Sequence, residues 1–261
     1  MIRIRRLTEP PALKSTRARE LERVRNLISK LKRAPTSDEI GTQYQVVSKQ
    51  LWQQQAYKCC YCELKEQNKR NDVEHFRPKS RAVRAPGSDK LHGYWWLAWS
   101  WKNLFFSCRN CNQAPAKFDR FPLSSKSVLE PEEQPEGLER PLLINPLRES
   151  GLTHIQFRPN KNRWIPVARG GSKKGEETIK TCQLDRDDLL DLYAEHVATH
   201  VDPRVIKVKA ATANGLLSAW NDALTLLEPS MPLVALTWDV LDFHFPLPWR
   251  RPRKLTLPEN L

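Results

Sequence analysis

Two Cys-x-x-Cys pairs, Cys59/Cys62 and Cys108/Cys111, constrain this chain more than any other feature. Each pair can form a tight knuckle that aims two thiolates at one ion. Two knuckles complete the tetrahedral four-sulfur site that zinc favours. Zinc held in this way staples segments distant in sequence and contributes folding free energy, but it specifies no reaction. A redox role for one pair is disfavoured, because no βαβ pattern surrounds either. Cys60 is a poor substitute ligand, since a single residue separates it from Cys62. Cys60 and Cys182 therefore read as buried thiols.

A metal reading also suits the compartment. The start, Met-Ile-Arg-Ile-Arg-Arg, carries charge but no apolar segment of the secretory kind follows it. The most apolar run, Tyr94 to Phe106, contains Lys102 and Asn103 and is too short to span a bilayer. The expectation is a cytoplasmic chain with no membrane partner, in which thiols stay reduced and serve metal rather than disulfides.

The formal net charge is +13 and the sequence pI about 9.6. Such a balance points to a polyanionic partner, nucleic acid first among them. The charge is concentrated: residues 1–33 hold 11 Lys/Arg against three Glu. A basic arm of this kind contributes sequence-independent, salt-sensitive phosphate affinity.

The pattern along the chain predicts an α+β fold with five regions. Residues 1–55 form a basic N-terminal helical region, in which 2–6 read as a short strand. Leu21, Val24, Leu27, Ile28 and Leu31 mark a helix over 15–33 that Pro35 ends. A second helix is expected over about 38–57, with Ser37 and Asp38 as capping candidates. Residues 56–122 hold the candidate chemistry. Residues 123–141, rich in Pro, Glu and Ser, read as a solvated connector. Within 142–228, weak alternation and the turn residues Pro159 to Asn162 predict a hairpin. Helices over 175–182, 185–199 and 203–227 follow, with Asp185 as an N-cap. Residues 229–261 read as a proline-rich tail in which a long regular helix is not expected.

Between the knuckles lies Asp72-Val73-Glu74-His75-Phe76-Arg77-Pro78-Lys79-Ser80-Arg81. Glu74 can hold a divalent cation, and His75 can take a proton from water. Arg77, Lys79 and Arg81 can meet phosphate oxygens. The aromatic run from Tyr94 to Phe106 reads mainly as core around the zinc, not as a surface for stacked bases. Asn103, a polar amide inside that run, needs buried partners and is expected to fix a backbone turn. The second knuckle leads directly into Asn112 and then Lys117.

In order, these elements resemble the HNH endonuclease family, whose core is a ββα-metal fold. Glu74-His75 matches the acid and catalytic His of the family's first element, Asn103 its central Asn, and Asn112 its third position. Lys-Cys-Cys-Tyr-Cys-Glu at 58–63, Glu-His-Phe-Arg-Pro-Lys at 74–79, Gly-Tyr-Trp-Trp-Leu-Ala-Trp at 93–99 and Asn103-Leu104 are similar to a narrower branch. That branch is the HNH proteins of bacterial anti-phage modules such as Septu and certain retrons, which act beside an ATPase partner. Asn145-Pro146-Leu147-Arg148, Glu177-Thr178-Ile179 and the run Leu184 to Leu189 extend the resemblance. After about residue 205 there is none. Asn112 stands where His is the stronger family ligand, and Ala114-Pro115-Ala116 also departs from the pattern. An amide oxygen there suits Mg²⁺ or Mn²⁺ better than a soft metal.

The resemblance implies a metal-dependent endonuclease with two metals. Zinc at Cys59, Cys62, Cys108 and Cys111 is structural. A Mg²⁺ or Mn²⁺ ion is held by Glu74 and Asn112 with Asp72. His75 is the general base and Asn103 orients it. Arg77, Lys79, Arg81 and Lys117 are the nucleic-acid contacts, with DNA as the expected substrate. Two other readings fit the same charge and cysteines. One is a non-catalytic zinc module that binds nucleic acid. The other is an interaction subunit that docks through helices 185–227 and the tail.

Overall fold

Among the described residues, helices precede and follow two separate two-stranded antiparallel sheets, so the architecture is α+β. The computed structural model describes residues 1–66, 72–85, 92–125 and 139–259. Of the expected connector at 123–141, residues 126–138 lie outside the described residues.

Pro11, whose missing N–H costs nothing in a first turn, opens helix α1 (Pro11–Leu31). Leu13, Thr16, Glu20 and Val24 recur at helical spacing and form its buried face. The helix ends before Pro35 acts. Lys32 turns left-handed (φ 53°) and returns its N–H to the Ile28 carbonyl. Residues 2–6 do not form the expected strand. Ile4 N donates to the Pro146 carbonyl (2.8 Å), but no ladder follows.

The single helix expected over 38–57 is broken. Thr36, not Ser37 or Asp38, caps α2 (Ser37–Ile40), in a reciprocal box with Glu39. Gly41 then adopts φ 80°, a conformation open chiefly to glycine, and stops the helix. A 3₁₀ segment over Gln43–Val47 leads into α3 (Ser48–Gln54).

At the centre, β1 (Asp72–His75) pairs antiparallel with β2 (Leu104–Ser107), and one helical turn, α4 (Arg109–Asn112), follows. The register sets Asp72 against Ser107 and His75 against Leu104. All four β2 residues are buried. Tyr94, Trp95, Trp96, Trp99, Trp101, Phe105 and Phe106 are buried with them, so the aromatic run is core.

The hairpin is present as β3 (Ile155–Asn160) and β4 (Arg163–Ala168), joined through Lys161 at φ 53°. Ser172 caps α5 (Lys173–Cys182) by accepting from Gly175 N (3.2 Å). The next helix, α6 (Asp187–His196), starts after Arg186, so Asp185 is not its cap. Asp187 and Asp188 in the first turn face the helix dipole instead. A wide π turn over Val197–Val201 carries α6 into α7 (Asp202–Ala210). The expected continuous helix over 203–227 breaks at Ala211, whose backbone is extended (ψ 134°), and resumes as α8 (Ala213–Leu224).

The segment expected to be a proline-rich tail contains a buried helix, α9 (Val234–His244). Pro232 and Pro246 flank it rather than interrupt it, so neither ring meets a helical carbonyl. A short helix, α10 (Leu247–Arg250), follows. Asp239 ties α9 to the hairpin by accepting from Phe157 N (2.8 Å) and pairing with Arg169. Among the described residues, no helix is long and apolar enough to cross a membrane.

Candidate functional site

The first knuckle closes through two backbone bonds, Cys59 N to Leu64 O (3.0 Å) and Glu63 N to Cys59 O (3.1 Å). The second opens where β2 ends and is wound by α4, with Cys111 N and Asn112 N both donating to the Cys108 carbonyl. Together they bring the sulfurs of Cys59, Cys62, Cys108 and Cys111 within 4.8 Å of one another, all buried. Cys62 and Cys108 sulfurs are 3.8 Å apart. Four sulfurs at bonds of about 2.3 Å from a tetrahedral ion lie about 3.8 Å apart, so both spacing and donor chemistry fit zinc. Ser107 Oγ (3.5 Å from Cys59 Sγ) and the Arg186 guanidinium (3.5 Å from Cys111 Sγ) supply further polar contacts to the thiolate charge. Cys60 and Cys182 stand outside the cluster, and burial pushes both thiols well up, toward the inert neutral form.

Beside this centre is an open cavity of about 680 Å³. Asp72, Glu74 and His75 reach it from β1, and Asn112 and Gln113 from the end of α4. Lys79 and Arg81 line it, joined by Tyr44 and Arg109, which the sequence had not singled out. The Lys79–Arg81 backbone is held close by Gly93. A Cβ there would sit 2.4 Å from the Ser80 carbonyl carbon and 2.6 Å from Arg81 N.

His75 Nε2 is 3.0 Å from the Ala98 carbonyl oxygen. A carbonyl only accepts, so Nε2 carries the proton and Nδ1 keeps its lone pair. Burial, reinforced by the nearby Lys79 charge, lowers the imidazole from its ordinary 6.5 to about 3. The ring is neutral throughout the physiological range. The Tyr44 ring packs edge-on against it, with centroids 4.5 Å apart.

Asn103 is buried and fully engaged. Its Oδ1 accepts from Arg77 N (2.8 Å), and its Nδ2 donates to Arg77 O (3.0 Å) and Leu97 O (3.2 Å). It therefore clamps the chain two residues beyond His75 and, through Leu97, the segment whose Ala98 carbonyl orients the imidazole.

Glu74 is committed in part. Its Oε1 receives Lys117 Nζ (2.5 Å) and the Tyr61 hydroxyl (2.9 Å). Burial raises its carboxyl above the ordinary range, although Lys117 and Tyr61 oppose the shift. Asp72 Oδ2 and Asn112 Nδ2 are 2.9 Å apart. Because amide oxygen and nitrogen are interchangeable by a flip, both side chains can turn an oxygen to one point. Among the described residues, only the four cysteines form a ready-made group of three or more acidic, His or Cys ligands.

Two expected phosphate contacts lie inside the protein. Arg77 is buried between the Tyr94 and Phe121 rings (5.0 Å to each) and pairs with Glu139. Lys117 is wholly buried on Glu74 and on the His75 carbonyl (2.9 Å). Lys79 and Arg81 do reach the cavity. Lys79 Nζ donates to the Gly41 carbonyl (3.2 Å) over the Tyr44 ring, and exposed Arg81 sits 3.4 Å from Asp119.

No family model matches the chain, and no solved structure matches it. It is 36% identical over 154 residues to the Septu protein PtuB of Bacillus mycoides, an overlap covering 58% of this chain and 50% of that protein. It is 28% identical over 135 residues to Septu protein PtuB of Bacillus thuringiensis, covering 51% of this chain and 38% of that one. It is also 27% identical over 140 residues to the Septu protein PtuA of Bacillus mycoides. That overlap covers 53% of this chain and 19% of PtuA. The chain is thus related to Septu proteins over a little more than half its length, and it spans at most half the length of these relatives.

Proposed function

We propose that this protein is a metal-dependent endonuclease of the HNH kind that hydrolyses phosphodiester bonds in DNA. It would serve as the nuclease component of a Septu-type anti-phage system beside an ATPase subunit. The observation that carries the reading is His75. A neutral imidazole, held by its Nε2–H on a backbone carbonyl, lines a polar cavity with Asp72, Glu74 and Asn112, beside a four-cysteine staple. The likeness to PtuB and PtuA supports the Septu context and a partner subunit.

Two carboxylates and an amide oxygen make a hard donor set, which fits Mg²⁺ or Mn²⁺. When bound at Asp72, Asn112 and Glu74, such an ion supplies neutralisation of the scissile phosphate and of the leaving oxygen. The protein's own groups do the rest. His75 Nδ1 takes the proton of the attacking water. Asn103 holds the two chain segments that fix the imidazole. Lys79 and Arg81 receive phosphate oxygens, and Tyr44 shields one edge of the ring.

The test is cleavage of labelled DNA and tRNA by the full chain, with and without added Mg²⁺ or Mn²⁺. Loss of a general base costs about 10²–10⁴ in rate. His75→Ala is therefore expected to fold, to keep its zinc by elemental analysis, and to lose at least about 100-fold of the activity. A His75→Ala protein that cuts at the wild-type rate sinks the reading. The alternative, a non-catalytic zinc-containing subunit that binds nucleic acid or a partner, is favoured by one observation: Lys117 and Tyr61 already occupy Glu74 Oε1. Cleavage that needs Mg²⁺ or Mn²⁺ and stops with EDTA decides between the two.

A further inference from the structure

A second groove, of about 1,030 Å³, runs beside the first residues of the chain and shares no lining residue with the His75 cavity. Arg3, Arg5, Arg6, Lys102 and Arg148 border it, against Glu149 and Glu259. Glu149 is already matched by Lys174 (2.7 Å) and His154 (3.0 Å), so its charge offsets little of this.

The segment that carries the arginines is fixed. The Met1 amino group sits 3.1 Å from Glu63, Ile2 N donates to Glu63 Oε1 (3.2 Å), and Ile4 N donates to the Pro146 carbonyl (2.8 Å). Ile2 and Ile4 turn inward while Arg3 and Arg5 are exposed. Arg6 lies over the Trp101 and Phe105 rings (4.5 and 4.7 Å) and donates to the carbonyls of Trp101 and Leu104.

The N-terminal positive charge divides in two. Along α1 and just beyond, at least half of its eight basic residues are used in ion pairs within the protein: Arg17 pairs with Glu9, Arg19 and Arg23 with Glu20, and Arg33 with Glu39. Arg3, Arg5 and Lys102 have no carboxylate partner among the described residues; Arg3 Nε contacts only the Leu147 carbonyl (3.2 Å).

We propose that this groove binds the sugar–phosphate backbone of a nucleic-acid strand, as a contact surface separate from the His75 cavity. Guanidinium forks suit phosphate oxygens. Trp101, the groove's aromatic residue, is buried and spends its Nε1–H on the Leu7 carbonyl (3.0 Å), so it offers no face to an unpaired base. The contact therefore reads charge and not sequence. The inference shares with the nuclease reading only the assumption that nucleic acid is the ligand; it does not depend on cleavage.

The test is fluorescence anisotropy with the full chain and labelled DNA and RNA, single- and double-stranded, over a salt series. Arg3→Glu/Arg5→Glu/Lys102→Glu changes exposed groups and is checked for folding by circular dichroism. Removing three phosphate contacts is expected to weaken low-salt binding about tenfold or more and to flatten the log Kd against log salt slope by about 2–3. Arg3→Lys/Arg5→Lys should retain most of the affinity. Unchanged affinity and slope in the triple variant would overturn the proposal. So would binding of polyglutamate as tight as that of DNA, which would assign the groove to an acidic protein. A chain that never cleaves but loses binding in the triple variant fails the nuclease reading alone. A chain that cleaves and whose triple variant binds normally fails the groove alone.

Discussion

Glu74 and Lys117 face one another with almost no contact with solvent, 3% and 0% exposed. Desolvating two charges is expensive, and the Coulomb gain offsets that cost only while both are present. Lys117→Met strands a buried carboxylate, and a loss of about 3–5 kcal/mol is expected in denaturant unfolding with zinc present. Adding Glu74→Gln should restore much of that stability, so the double variant should lie well above the sum of the singles. Strict additivity would show that the pair does not interact. Glu74, His75 and Asn112 stood out because their types and spacing carry chemistry, and the structure brings them to one cavity. Their partners did not, because the acceptors for His75 and Asn103 are the backbone carbonyls of Ala98, Arg77 and Leu97, which leave no trace in residue type. Arg77 and Lys117 looked like phosphate contacts for the same reason. A sequence displays a positive charge but not the acid, 62 or 43 residues away, that the fold sets against it.

Elements were legible where a pattern was local. The β3–β4 hairpin followed from alternation around a turn. The α2–α3 break had its signal in Gly41, whose left-handed conformation outweighs the surrounding helical propensity. Helix α9 was missed because prolines were weighed by number and not by position; eleven residues free of proline separate its flanking turns. The β1–β2–α4 unit depends most on something outside its own sequence. Two four-residue strands and one helical turn form no stable unit alone, and the cysteines hold both ends of it. Stripping the metal with a strong chelator, or Cys62→Ser, should therefore open this unit first. Trp95, Trp96 and Trp99, all buried, should show red-shifted emission and loss of near-ultraviolet dichroism, while the helical far-ultraviolet signal largely persists. Losing even about 4 kcal/mol lowers the thermal midpoint of a chain this size by about 8–16 °C. A metal-free protein with unchanged near-ultraviolet dichroism and midpoint would show that the four thiols are mere core.

Across the whole molecule, the first knuckle is also where the start of the chain meets α9. Glu63, the residue after Cys62, is buried and receives the Met1 amino group, Ile2 N and, from α9, Ala235 N (3.0 Å). These partners and Lys58 hold its carboxyl below the ordinary range despite burial. Lys58 in turn donates to the Met231 carbonyl (2.9 Å). At the four-cysteine cluster itself, Arg186 brings the start of α6 onto Cys111. The segment after 228 is therefore part of the support of the four-cysteine centre, although nothing in its sequence resembles the rest of the site. A chain ending at residue 228 would leave Glu63 without Ala235 N and Lys58 without its carbonyl. It would also remove the buried face of α9, including Val234, Leu236, Val240 and Leu241. Burial of each such side chain contributes about 1.5–3 kcal/mol, so the loss is comparable to the whole stability of an ordinary domain. The full chain should unfold in one calorimetric transition. The shortened chain should show none, or one shifted far down in temperature, with weakened zinc retention. A shortened chain that melts cooperatively at the original midpoint and keeps its zinc would mean that α9 is an appendage, and that the centre around Cys59, Cys62, Cys108 and Cys111 stands without it.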